Sequence, residues 1–306
     1  MSKISPIVRC AGLVLLLFAP LHWSKADETK LFIFWETVSP DGKYALGWST
    51  DGSLDADSLA ADMYNENPNI KNGLVNVASR KMLLVLPGAE YWDLPPNGTH
   101  PNHYSMATVW SDDTASLLAI YDSRYGTDGA HLVDVKTMWA KELISDLKSA
   151  FYQAVRDKAA SYYRKYGKEY YIGFLNPWFT GHDRFEVSGS TFVSKFDDST
   201  VAFALTLQFT PTGKFSSIKS EKLGDDLGES DDRELNRTYR SLIGLLTSDE
   251  RKALVEEERA WIVQRDNART VPAKDDLVAA RIQELSNRLD SKIDALRVAD
   301  GEKMPK

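Results

Sequence analysis

The hydrophobic period changes once along this chain, and that change decides what the chain can fold into. Up to about residue 222 apolar side chains come in short alternating or continuous runs broken by turn residues; beyond residue 232 they recur at helical spacing. A period of two belongs to strands and one near 3.6 to helices, and neither pattern settles as the other. Between the two lies GDDLGESDD, residues 224–232, with five acids and two glycines in nine positions, which reads as a linker. The expectation is an α+β protein. A blade-like antiparallel sheet domain with one long helix spans 27–223, and an all-α helical hairpin module spans 233–306.

Within the first part the runs LFIFWETV, KYALGW, GLVNV, RKMLLVLPG, YSMATVW, SLLAIYD and AHLVDV predict strands. Ser39-Pro40-Asp41-Gly42 has proline to preset φ and glycine to take a positive φ, so it joins its flanking runs as a hairpin. The phrase starting at Val38 returns 72 residues later around Val109 and Trp110, the cadence of propeller blades. Two loose copies cannot close a ring, so two blade-like sheets or a small sandwich are expected. Residues 138–166 predict a single helix with Trp139, Leu143, Leu147, Phe151, Ala154 and Ala159 on one stripe, closed by Gly167. Strands resume at 170–174, 184–196 and 201–209, the last leading into the turn Thr210-Pro211-Thr212-Gly213.

The first 26 residues place Lys3 and Arg9 ahead of an apolar stretch from Ala11 to Ala19, with Ser24 and Ala26 at small-residue spacing, the pattern of a cleaved signal peptide. The sole cysteine, Cys10, falls within it. A disulfide within the chain or a cysteine-based metal site is excluded, since each needs more than one sulfur. Export to the periplasm or beyond is the expected location, with no membrane span after cleavage, because no later stretch has the roughly 18 apolar residues a span needs. The full chain has 37 basic and 44 acidic residues; without Lys3, Arg9 and Lys25 the count is 34 against 44, or −10. That balance disfavours nucleic acid and suits a cationic protein partner.

The C-terminal region predicts three helices. The first runs from about Arg233 to Leu246 and shares Leu235, Tyr239, Leu242, Ile243 and Leu246 on one face. Thr247 and Glu250 have capping-box spacing for the second, which turns Leu254, Trp261 and Ile262 inward and ends near Asn267. The third follows Pro272 and repeats Val278, Ile282, Leu285, Leu289, Ile293 and Leu296 near heptad spacing, a seam through which residues 275–297 could form a homodimer.

The phrase from Leu235 to Asp266 resembles the lysozyme-inhibitor LprI-like N-terminal domain family of bacterial envelope proteins, over about residues 233–295. The residues that carry the likeness are Leu235, Asn236 and Tyr239, then Ser248, Glu250 and Leu254, then Ala260 and Trp261 with Arg265 and Asp266. The resemblance implies an envelope protein that binds a lysozyme-type muramidase. Members commonly carry cysteines around the hairpin; here packing must replace them.

Candidate partner-binding residues are therefore Glu256, Glu257, Glu258, Trp261, Arg265 and Asp266, read against a plainer role in the hairpin. Trp261 has core spacing, and Arg265 and Asp266 could tie the second helix to the first through Glu234 or Arg240. In the sheet domain Trp92 and Trp178 lie in Pro-rich or Gly-flanked stretches and are candidate ligand-binding aromatics. His100 and His103 with Asp93 could hold a metal, but two imidazoles are not a site, so neither metal nor cofactor is expected. Asp112, Asp113, Asp122 and Asp128 could supply the acid pair of a glycosidase, yet such residues are ordinary in hairpin turns, and no nucleophile or phosphate-loop motif is present, so no enzyme is expected. The reading is an exported muramidase inhibitor acting by occlusion. The alternative is an envelope scaffold that binds peptide or glycan through its sheets and self-pairs through its last helix.

Overall fold

A computed structural model describes residues 30–50, 70–89, 91–93, 104–193, 199–223, 231–268 and 270–299. The expected signal peptide with Cys10 lies outside them, as do His100 and His103 and most of the expected linker.

Among the described residues twelve strands form three four-stranded antiparallel meanders, each in sequence order. The first contains β1 (Lys30–Ile33), β2 (Tyr44–Thr50), β3 (Lys71–Asn76) and β4 (Lys81–Val85). The second contains β5 (Ser105–Trp110), β6 (Ser116–Ser123), β7 (Gly126–Asp134) and β8 (Trp139–Glu142). The third contains β9 (Tyr171–Gly181), β10 (Arg184–Phe192), β11 (Ala202–Phe209) and β12 (Phe215–Lys222). The second sheet is the middle layer. Leu117, Ala119 and Tyr121 of β6 pack toward the first sheet with Trp48, Leu74 and Trp92, while Leu118 and Ile120 pack toward Phe174, Phe185 and Phe203 of the third. Burial on both faces explains why SLLAIY is a continuous apolar run rather than an alternating one.

The repeated turn is atomically faithful. The Ser39 hydroxyl donates to Asp41 at 2.7 Å and accepts from the Tyr44 N–H at 3.0 Å. Ser111 does the same with Asp113 at 2.8 Å and the Ser116 N–H at 2.9 Å. The third sheet carries a further copy: Thr210 Oγ1 accepts from the Lys214 N–H at 3.2 Å, and Gly213 takes a φ of 71°, as Gly42 takes 75°. Thr114 holds the equivalent place in the second copy at 56°, where a side chain is disfavoured. The Trp110 indole N–H donates to the Thr37 carbonyl at 2.8 Å, tying the second sheet to the first.

Two expectations for this part are corrected. Residues 138–166 are not one helix: Met138 has φ 53°, Trp139 begins β8, and the helical stretch divides into α1 (Ile144–Lys158) and α2 (Ala160–Tyr166) at Ala159, which leaves helical geometry at φ −134°, ψ 49°. No proline or glycine marks that break. β10 spans Arg184–Phe192, with residues 194–196 of the expected strand outside the described ones, and β12 has no counterpart in the sequence reading because only scattered residues of FSSIKSEK face the core. The stripe on α1 is otherwise as expected, with Leu147, Phe151, Ala154 and Val155 buried against the second and third sheets.

The C-terminal part forms α3 (Asp231–Leu245), α4 (Ser248–Asn267) and α5 (Val271–Ala299). Asp231 and Asp232, assigned above to the linker, open α3 and place two carboxylates on its positive N-terminal end. Thr247 caps α4 in a full capping box, accepting from the Glu250 N–H while the Glu250 carboxylate accepts from the Thr247 N–H at 2.7 Å.

Candidate functional site

The helical module does not stand apart from the sheets. Helix α3 lies across all three of them. Arg233 near its start meets Glu186 of β10 at 2.6 Å. Arg240 pairs with Asp112 in the second copy of the turn, its guanidinium 5.2 Å from the ring centre of Trp178. Gly244 packs its backbone on Ser39 in the first copy. At the far end Arg297 of α5 reaches Glu36 at 3.8 Å and Asp93 at 3.5 Å. Ile293, Leu289 and Leu296 pack on Ile33, Trp35, Val38, Ala45 and Val75.

Inside the module Leu242, Leu254 and Leu285 are buried and shared among the three helices, with Trp261 half-buried beside them. The last-helix stripe expected to meet another copy is thus occupied within the chain, by α3 at Val278 and Leu285 and by the first sheet at Ile293. Arg281, only 6% exposed, lies on that same face. Its Nε donates to Glu258 at 2.7 Å and its Nη1 to Glu284 at 2.6 Å, while Arg288 holds Glu257 at 2.6 Å. An open groove of about 560 Å³ runs between the helices, lined among others by Leu242, Leu246, Ala253 and Asn287. Its charges are mixed, with Lys292 bonded to Glu250 at 3.0 Å. Glu250 is held down to about 2 by the Thr247 backbone N–H first and by Lys292 second.

The six candidate partner-binding residues do not form one surface. Glu258, Trp261 and Arg265 follow Leu254 along the inner stripe, with the Arg265 guanidinium 5.3 Å from the Trp261 ring centre. Arg265 bonds to its neighbour Asp266 at 3.0 Å rather than to Glu234 or Arg240. Glu257 and Glu258 are neutralised from α5, so the acidic run is largely an internal tie. Glu256 and Asp266 face outward, on an exposed stripe with Arg259, Ala260 and Val263, and Glu257 is exposed as well while held by Arg288. Ile262, expected inward, is 41% exposed, and Val263 is 60% exposed. Position 262 falls about 100° round the helix from the inward Trp261, outside the narrow contact stripe. These two exposed aliphatic side chains are the residues the sequence reading missed, and the signal was present: Val263 lies seven positions from Glu256, on one face. Charge also distributes unexpectedly. Residues 231–299 hold 14 acidic and 13 basic side chains, so the negative balance of the chain resides before them.

In the sheet domain Trp92 is 3% exposed within the core between the first and second sheets, which corrects its assignment as a ligand-facing aromatic: the indole has no free face. Trp178 lies in β9 under Arg240 and borders a cavity of about 30 Å³. Of the carboxylates weighed for catalysis, Asp113 caps its turn, Asp112 pairs with Arg240 and Asp122 accepts from Thr127. Among the described residues no three His, Cys, Asp or Glu side chains converge as a metal site, and no helix is long and apolar enough to cross a membrane.

Comparison with known families gives one finding. Residues 223–294, that is 72 of 306, match the model of the family described as lysozyme inhibitor LprI. The matched segment covers α3, α4 and most of α5, so the likeness falls on the helical module. No curated protein and no solved structure matches the chain.

Proposed function

We propose that the chain is an exported bacterial envelope protein that inhibits lysozyme-type muramidases by steric occlusion, using the outer face of α4. The observation that carries this reading is the family match over residues 223–294, which spans the helical module and the eight residues before it. The exposure of α4 supports its outer face as the contact surface. α3 is taken up by the sheets, α5 by α3 and the first sheet, and α4 contributes a single fully buried side chain, Leu254. Its outward stripe combines an aliphatic centre, Ile262 and Val263, with Glu256 and Asp266 at either side, an apolar core with a charged rim. The sheets act as a rigid base that pre-orders the module, which lowers the ordering cost of binding.

A lysis assay with the purified full chain and a cationic lysozyme tests this. Inhibition is expected at near-equal stoichiometry and is lost in Val263→Asp, whose side chain is exposed and leaves the fold intact. Lysis undiminished by the folded wild-type chain at any ratio would overturn the proposal.

A further inference from the structure

The cations of the otherwise acidic sheet domain gather on one helical pair. Residues 27–223 hold 19 basic and 25 acidic side chains, yet 144–168, from the start of α1 to two residues past α2, holds six basic and two acidic. There the surface sinks into a groove of about 410 Å³, within the size range of small-ligand sites. Lys148, Arg156 and Lys168 line it, and no carboxylate does. Among the described residues neither lysine pairs with an acid, whereas Arg156 meets Asp157 at 3.3 Å. Lys148, Tyr152 and Arg156 stand at four-residue steps on α1, about 6 Å apart along one face.

The groove is polar beyond its charges. Tyr152 and Tyr163 contribute phenols and Ser149 a hydroxyl. Lys168 sits 5.1 Å from the Tyr152 ring centre, and the Tyr152 and Tyr170 ring centres are 5.5 Å apart. Tyr170 is 7% exposed and lies behind the groove wall rather than in its lining, packed on Tyr152, so the phenols that face a ligand are those of Tyr152 and Tyr163.

We propose that this groove binds an acidic oligosaccharide, with carboxylate or phosphate groups at Lys148, Arg156 and Lys168 and sugar hydroxyls at the tyrosine cluster. The cations supply the anion's partners, and the neutral hydroxyls distinguish a sugar from a bare anion. The site uses none of the α4 residues and stands whether or not the inhibitor reading does.

The test titrates the full chain calorimetrically with trigalacturonate, with a phosphomannan trisaccharide, with neutral chitotriose and with an oligodeoxythymidylate of similar charge. Saturable binding of either acidic sugar, absent for chitotriose, supports the site, and the stronger of the two identifies the anion. Lys148→Gln/Lys168→Gln should weaken it about a hundredfold or more, since two charge-assisted bonds are lost. Tyr163→Phe, which removes only a phenol that lines the groove, should weaken binding while leaving Tm unchanged, an outcome that a purely structural tyrosine would not give. No binding of either acidic sugar, equal binding by the double variant, or equal binding of the oligonucleotide would overturn the proposal.

Discussion

Gly244 of α3 and Ser39 of the first repeated turn touch backbone to backbone: a Cβ on Gly244 would lie 2.5 Å from the Ser39 carbonyl oxygen. The contact is mutual, since a Cβ on Gly42 would lie 2.8 Å from the Gly244 carbonyl oxygen, with φ 75° as a second obstacle. Neither backbone can yield without moving a sheet or a helix. Gly244→Ala is expected to cost about 1–3 kcal/mol as overpacking, even though alanine is the better helix former. Urea denaturation followed by tryptophan fluorescence checks the sign. A more stable variant would show that the close approach is not enforced.

The same contact predicts cooperativity. With α3 tied to all three sheets and Ile293 in the core of the first, the sheets and helices should melt together in the wild-type chain. Gly244→Val, with a larger clash, should separate the far-UV helical signal from the tryptophan signal. Coincident transitions in that variant would count against docking as the source of the coupling.

The limits of the sequence reading follow from where its signals are local. The capping box at Thr247 and Glu250 was legible because it lies within four residues and needs no tertiary partner. The hairpin Ser39–Gly42 and its copy at Ser111 were legible for the same reason. The split at Ala159 was not, because no breaker residue marks it, and β12 was not, because an edge strand of mostly exposed residues has no alternation to read. The outward turn of Ile262 and the burial of Trp92 depend on which elements meet, and a helical period alone does not state that. Arg281 was also missed although it had a readable cue: three past Val278 and four before Leu285, it shares the inner face with them.

His131 gives a pH test confined to one window. It is 1% exposed on β7, its Nε2 is 2.8 Å from the Pro87 carbonyl oxygen, and its Nδ1 has no partner among the described residues. Burial lowers its pKa, against smaller opposing effects of the Pro87 carbonyl and of Glu142. The unfolded chain then takes up the proton first, so its contribution to stability is complete above about pH 6.5 and is lost as pH falls through the lower folded value. Unfolding free energy should therefore decline on acidification from about pH 6.5 to 5, above the range of ordinary carboxylates. His131→Gln should flatten that decline. A slope unchanged by the substitution would assign it to other groups.

The α4 cap predicts a paired effect. Thr247→Ala and Glu250→Ala each remove one half of the box and should cost about 1 kcal/mol. Glu250, with its pKa down at about 2 from 4.5, stabilises the fold above pH 4.5, and this is lost as pH falls toward 2. The carboxylate is half exposed, so solvent screening keeps the electrostatic part small. Glu250→Gln keeps an acceptor for the Thr247 N–H and should recover most of the loss at pH 7. Helical content monitored by circular dichroism between pH 5 and 2 distinguishes the two variants.

The Arg281 network asks whether the module is held by charge or by shape. Arg281→Met keeps volume and apolar contact with Leu285 but leaves Glu258, 14% exposed, without its guanidinium. Removing one partner of a buried pair costs about 3–5 kcal/mol, so the single variant should be strongly destabilised at pH 7. Adding Glu258→Leu removes the orphaned charge, and the double variant should return to within about 1 kcal/mol of wild type or exceed it, as buried pairs replaced by apolar residues often do. The coupling energy of this double-mutant cycle, measured by urea denaturation, should be large and favourable. If both single variants prove additive, Glu258 is solvated in solution and the inner face of α4 is looser than its contact with α5 indicates.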